Sequence, residues 1–273
     1  GGPSDIRDRP RPSHEMERNM LNLEGRVALV TGSSRGIGRA CAIRLAEAGA
    51  DVVTNYVTSR SAAEDTALEI CARGRRAWIV KADVSEEEDI QSMVDFIREE
   101  VGRLDVIVSN AASGGFRPLL ESNSRHFEAT MNLNVMAIVH LVKAAMPLLE
   151  RSKDRAKVIA LSSHGSQIAL PSYGLVGTSK AAVESIARHL ALEIGDRGVN
   201  VNVVKSGLVE TDSTKRFPDA ERMFAERQAK TMTGGRDLTA DDVADAVAFL
   251  ASPMADMVQG EVLTVDGGAA VHV

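Results

Sequence analysis

The chain has 273 residues, 44% of them hydrophobic and 26% charged, with a formal net charge of -6. That length suits one large α/β domain with a sizeable core, and the acidic balance excludes the global basic field that draws a protein to nucleic acid or to an anionic membrane. Cys41 and Cys71 stand singly in helix-like segments without CxxC spacing, so buried packing in a reducing cytoplasm is expected, with no metal site.

Residues 1–20, GGPSDIRDRPRPSHEMERNM, mix Pro, Arg and Asp with almost no apolar periodicity and read as a disordered extension. No run approaches the roughly 18 apolar residues of a membrane span, and no charged-then-apolar leader opens the chain. The expectation is a soluble, cytoplasmic protein. From Leu21 onward, buried-strand patterns alternate with helix-period ones: RVALVTG, then IGRACAIRLAEAGA, DVVTNY, SAAEDTALEICARG and RAWIVKADV. SEEEDIQSMVDFIREEVG opens with Ser85 and Glu88 in capping-box spacing, and TADDVADAVAFLAS opens with Thr239 and Asp242 likewise. Further strands are read at LDVIVSN, AKVIALSS, VNVNVVKSG and EVLTVDGG. Strands with so few alternating polar residues belong to a parallel sheet covered on both faces, a doubly wound single domain over residues 21–273.

The segment VTGSSRGIGRA places Gly32, Gly36 and Gly38 between the first strand and its helix. Backbone can approach a pyrophosphate closely there, and the helix N-terminus offers partial positive charge. The spacing departs from GxGxxG, and glycine also serves ordinary tight turns.

TGSSRGIG, SNAA and the tail GEVLTVDGG together resemble the short-chain dehydrogenase/reductase superfamily over about Leu21 to the end. NAASGGFRPLLE, YGLVGTSKAA and SGLVETDSTKRFPD are similar, within it, to the short-chain-type bacterial enoyl-acyl-carrier-protein reductases. The resemblance implies a Rossmann-like sheet of seven strands, a bound nicotinamide nucleotide and a homotetramer packed through the long fourth and fifth helices. It places Gly32, Ser34, Arg35, Gly36, Ile37 and Gly38 against the nucleotide, with Asp83 and Val84 flanking the adenine. Asn110 and Ala111 then line the cleft, Gly207 follows the sixth strand, and Thr211 lies near the nicotinamide amide. The second strand ends at Asn55 and Tyr56, without the Asp or Glu that grips a ribose 2′-hydroxyl; Asn55 is expected at the nucleotide there, and Arg35 and Arg60 offer charge to a 2′-phosphate. NADPH is the expected cofactor, with two solvated surface arginines as the plain alternative.

By the same resemblance Ser163, Lys180 and Asn134 fall at the family's active-site serine, lysine and helix asparagine; a capping serine and an ordinary helix amide are the structural alternatives. Four residues before Lys180, where such enzymes carry tyrosine, stands Val176; Tyr173 lies one helical turn earlier. Three helical residues span about 4.5 Å of rise and 300° of turn, so Tyr173 keeps roughly the same face and reaches a different point. In ketone reduction the proton donor stands beside the carbon that takes hydride. In enoyl-thioester reduction negative charge gathers farther along, on the thioester oxygen. The displaced tyrosine matches the second demand, and Lys180 is expected to favour its phenolate. The substrate is thus expected to be an enoyl group on acyl carrier protein or coenzyme A, in fatty-acid or polyketide-type synthesis. A short-chain ketoreductase or alcohol dehydrogenase and a non-catalytic NADPH-binding regulator remain open. Residues 210–235 read as a substrate lid, with Leu208, Phe217, Met223, Phe224 and Met232 available to an acyl chain.

Overall fold

Seven short runs dominated by aliphatic residues become the strands β1 (Val27–Val30), β2 (Asp51–Tyr56), β3 (Ala77–Lys81), β4 (Val106–Ser109), β5 (Ala156–Ser163), β6 (Val199–Ser206) and β7 (Val262–Val265). The protein is described by a computed structural model covering residues 21–271 apart from Ser213 and Pro218; the extension at residues 1–20 lies outside the described residues. All six strand pairings are parallel, in the order β3-β2-β1-β4-β5-β6-β7. Parallel neighbours need crossovers, and the helices supplying them are α1 (Gly36–Glu47), α2 (Arg60–Ala72), α3 (Glu87–Phe96), α4 (Ser124–Met131), α5 (Ala137–Leu149), α6 (Gly174–Ile194), α7 (Ala220–Lys230) and α8 (Ala240–Ala251).

The apolar stripes of these helices close a core on each face of the sheet. On one, Ile90 and Met93 of α3, Ile138 and Leu141 of α5, and Val183 and Ala187 of α6 pack against Leu29, Ile107 and Val158. On the other, Cys41 and Leu45 of α1 and Val243, Val247 and Ala251 of α8 pack against Ala28, Val106 and Ile159. Cys41 is in this core, where burial pushes its thiol up to about 12, whereas Cys71 is exposed, contrary to the packing role expected of both. The expected box at Thr239 and Asp242 is present, but Ser85 and Glu88 form none. Ser85 Oγ instead donates to Asp83 Oδ1, and the helix begins at Glu87. Asn123 and His126 form a reciprocal cap on α4 that was not foreseen.

α4 and α5 are joined by a π-turn at Asn132–Met136, making one helix from Ser124 to Leu149 that is long and apolar enough, by composition alone, to cross a membrane. Ile138, Leu141, Ala145 and Leu149 face the sheet, so burial in the core accounts for that composition.

The strand order reverses direction between β1 and β4, and a cleft opens there at the carboxyl ends of the strands. Asn55, expected at the nucleotide, instead braces this cleft from behind. It is buried, accepts from Gly32 N through Oδ1 (3.1 Å) and donates through Nδ2 to Ala82 O (2.9 Å). Removing a buried partner leaves those groups unpaired at about 1 to 3 kcal/mol each. Asn55→Ala is therefore expected to lower the unfolding free energy by about 2 to 6 kcal/mol and to weaken nucleotide binding with it, measured by urea titration and nucleotide titration on the same preparation.

Candidate active site

The cleft, of about 730 Å³, is lined from the ends of six strands: Gly32 and Ser34 to Gly38 after β1, Tyr56 to Ser59 at the end of β2 and just past it, Asp83 and Val84 after β3, Asn110 to Ser113 after β4, Leu161 to Gly165 on β5 and just past it, and Ser206 to Thr211 at the end of β6. Gly32 and Gly36 have φ of 62° and 55°, in the left-handed region that favours glycine. Gly38 is needed for a different reason, since a Cβ there would collide with Gly32 O and Asn110 Nδ2. Asn110 holds the turn through Nδ2 to Thr31 O (2.9 Å), and Ala111 N donates to Thr31 Oγ1 (3.0 Å).

This cradle fits a dinucleotide. The first amides of α1 face the cleft without a side-chain cap, and Arg35 stands beside them with its side chain exposed. Thr211 reaches back across the turn, 3.6 Å from where a Cβ on Gly36 would lie. Gly207 N donates to Val265 O (2.9 Å), tying the end of β6 to β7. Arg60 does not line the cleft; it pairs outward with Glu64 at 2.8 Å and is exposed. Past the end of β2 the cleft is lined instead by Val57, Thr58 and Ser59, two of them with hydroxyls, and no carboxylate stands among them. These short polar residues lack any distinctive pattern, which is why the sequence did not mark them.

At the other end of the cleft Ser163, Tyr173 and Lys180 come together. Ser163 closes β5, Tyr173 is the N-cap residue of α6, and Lys180 lies two turns into that helix. Tyr173 OH and Ser163 Oγ are 3.0 Å apart. The ring reaches that point because Gly165 and Gly177 carry no side chain. A Cβ on Gly165 would strike the Tyr173 ring, and one on Gly177 would strike Gly165 O. Phe116 stacks near the ring at 6.1 Å between centroids and 13° between planes, and Phe217 of the lid lies 5.7 Å away. Val176, at the usual tyrosine position, is 6% exposed and faces Gly114, where a Cβ would collide with Val176 Cγ2.

Burial dominates the electrostatics. It pushes the Tyr173 phenol above its ordinary value, with the Ser163 hydrogen bond acting in the opposite sense, so the tyrosine stands as a neutral donor at neutral pH. The direction is opposite to the lysine-favoured phenolate expected from the sequence, because desolvation of the phenol outweighs the other influences on it. Lys180 Nζ donates to Leu161 O (2.8 Å), and desolvation pulls its pKa down to about 8. Asn134 does not line the cleft. Its Oδ1 accepts from Ser113 N (2.9 Å) and its Nδ2 donates to Ser179 Oγ (2.9 Å), so it pins the loop after β4 to α6. His164 lines the cleft without having been marked: it is 6% exposed and its Nε2 lies 3.0 Å from Asp266 Oδ2.

Of the apolar residues expected to serve an acyl chain, Leu208, Phe217 and Met223 line the cleft, Phe224 lines an adjoining cavity of about 230 Å³, and Met232 is exposed.

The family profile described as Enoyl-(Acyl carrier protein) reductase matches residues 32–270. The chain belongs to the short-chain dehydrogenase/reductase superfamily. It is 35% identical to 1-cyclohexenylcarbonyl-CoA reductase of Streptomyces collinus, over 90% of this chain and 87% of that protein. It is 31% identical to 7alpha-hydroxysteroid dehydrogenase of Escherichia coli, over 91% and 95%. Among solved structures, a short-chain dehydrogenase of Burkholderia cenocepacia in complex with NADP superposes with a TM-score of 0.83 at 34% identity, covering 91% of this chain and 99% of that one. A 7alpha-hydroxysteroid dehydrogenase complexed with NADH and 7-oxo glycochenodeoxycholic acid gives 0.85 at 30%, covering 92% and 96%. The chain is therefore an oxidoreductase of this superfamily.

Lys180 also generates a stability prediction. A depression from 10.5 to about 8 corresponds to about 3 kcal/mol against burying the ammonium. Below pH 8 folded and unfolded chains both hold the proton and the full penalty is present. Between about 8 and 10.5 the folded chain has released a proton that the unfolded chain keeps, so stability rises with pH. Lys180→Met is expected to unfold at higher urea than wild type at pH 7, with the difference narrowing by pH 10; parallel urea midpoints at the two pH values check it.

Proposed function

We propose that the protein reduces the trans-2 double bond of an enoyl thioester, carried on acyl carrier protein or coenzyme A, with NADPH as the reductant. The observation that carries the reading is the source of the site's phenol: Tyr173 meets Ser163 at 3.0 Å from the N-cap of α6, while the usual position is filled by buried Val176. The similarity to a reductase named for an unsaturated acyl-CoA supports the substrate class. NADPH is favoured because Arg35, Thr58 and Ser59 offer donors to a 2′-phosphate where no carboxylate competes.

A nicotinamide nucleotide held along Gly32, Gly36 and Gly38 would supply the hydride that C3 of the enoyl group needs. The chain's own residues then handle the charge that gathers on the thioester oxygen. Tyr173, kept protonated by burial, donates a hydrogen bond to that oxygen, and Ser163 orients the phenol. Lys180 keeps one hydrogen bond to Leu161 O and has further N–H groups to offer the nucleotide's ribose. Phe116 and Phe217 pack beside the Tyr173 ring and supply apolar surface around it. A proton from solvent water then adds at C2 as the enolate returns to the thioester, so that one hydride and one proton together saturate the bond.

Carbonyl reduction is the second reading, and the same 3.0 Å pair favours it, because two converging hydroxyls suit one carbonyl oxygen. The similarity to a hydroxysteroid dehydrogenase points the same way. Cofactor-oxidation assays with crotonyl thioester and acetoacetyl thioester separate the two: the enoyl reading expects turnover of the first and little of the second, and the reverse result overturns it.

Tyr173→Phe is expected to lower crotonyl-thioester turnover by about 10² or more while nucleotide affinity stays near wild type, the pattern of a lost transition-state contact. Val176→Tyr should not rescue that variant, because residue 176 faces Gly114. Steady-state kinetics and nucleotide titration on the two variants check both statements. Nucleotide titration is likewise expected to show NADPH binding tighter than NADH, with the preference reduced in Arg35→Ala.

A further inference from the structure

The segment after β4, GGFRPL, runs beside the turn that carries Tyr173 and touches it at successive positions. Gly114 packs on Val176, Phe116 stacks near Tyr173, Arg117 N donates to Ser172 O (2.9 Å), and Leu119 Cδ1 stands 3.1 Å from where a Cβ on Gly174 would lie. Ser172 has φ of 58°, a conformation that a non-glycine residue keeps only when its surroundings hold it. Arg117 is itself anchored, its Nη1 2.8 Å from the His126 ring on the capped first turn of α4. A tyrosine seated within a helix would be held by the helix. One seated at its N-cap, after a strained residue, needs a brace from outside.

Phe116 is the member of this segment that touches the ring, and it also touches the lid. Its centroid is 4.3 Å from that of Phe217, which is 8% exposed in a lid that is otherwise largely solvent-facing. The three rings form a contiguous group in which Phe116 and Phe217 lie 6.1 and 5.7 Å from Tyr173 and 4.3 Å from each other.

We infer that Phe116 is the positioning residue for Tyr173, and that through Phe217 it makes the seating of the phenol depend on the packing of the lid. Phe116 touches no reacting atom. It acts by supplying one apolar wall of the pocket that excludes water from the hydroxyl and by keeping the ring over Gly165, so that the hydroxyl stays at Ser163. The consequence for turnover rests on the reductase reading above; the consequence for the phenol does not.

The sequence makes the phenol directly readable, because Tyr56 and Tyr173 are its two tyrosines. In a Tyr56→Phe background, ultraviolet titration follows Tyr173 alone, and burial sets its midpoint above that of a free tyrosine. Phe116→Ala is expected to move that midpoint back toward the free value, and Phe217→Ala to move it in the same direction. Phe116→Leu, which restores apolar volume, is expected to recover most of the displacement. A midpoint unchanged in Phe116→Ala overturns the inference, as does one that Phe116→Leu fails to recover. Kinetics on the NADPH-loaded enzyme supply the second readout: Phe116→Ala should lower kcat for crotonyl thioester at least tenfold with nucleotide affinity within about twofold of wild type. If crotonyl thioester is not turned over even by the wild type, the reductase reading falls, and the titration still decides the role of Phe116.

Discussion

The site depends on a steric constraint: the Tyr173 ring occupies space that side chains at residues 165 and 177 would otherwise fill. Gly165 lets the ring lie against the turn after β5, and Gly177 lets the first turn of α6 approach that same turn. Only with both contacts made does the phenol arrive 3.0 Å from Ser163 Oγ. A protein interior is close-packed, so two absent methyl groups are enough to decide where an aromatic ring can sit. The displacement of the tyrosine by one turn is thus compensated locally, by what its neighbours lack.

Burial then gives the three polar groups different characters. The phenol stays protonated and serves as a donor, while the ammonium of Lys180 is held in the low-dielectric interior at the expense of stability. Under the proposed reaction, an oxygen acquiring negative charge would be met by a preorganised donor and the nucleotide by a poorly solvated cation. Stability and function are opposed at Lys180, which is a common property of groups that act on a ligand rather than on the fold.

Several asparagines that look chemical from their positions turn out to be braces. Asn55 ties the glycine turn to the end of β3, Asn110 ties it to β4, and Asn134 ties the loop after β4 to α6. Each satisfies buried backbone or hydroxyl groups at a crossing of two elements, where no regular ladder can do so. They hold the cleft open in one shape, and of the three only Asn110 also lines it.

The sequence by itself determined the layered α/β architecture, because buried parallel strands and amphipathic crossovers carry distinct periods; β2 and β5 have the bounds their residue patterns imply. It also determined the glycine turn, since left-handed φ at Gly32 and Gly36 leaves a visible signature. Ser163, Tyr173 and Lys180 were legible through the family resemblance, whose motifs fall along one strand-to-helix connection. What tertiary structure alone decided involves partners distant in the chain or directions in space. Arg60 points outward to Glu64, and Asn55 points inward to Gly32, although both adjoin the same cleft in sequence. Phe116 meets Tyr173 and Phe217 across separations that no local pattern encodes. Lys180 and Tyr173 acquire their acid–base character from burial, a property of the surrounding packing that neither side chain carries in the sequence.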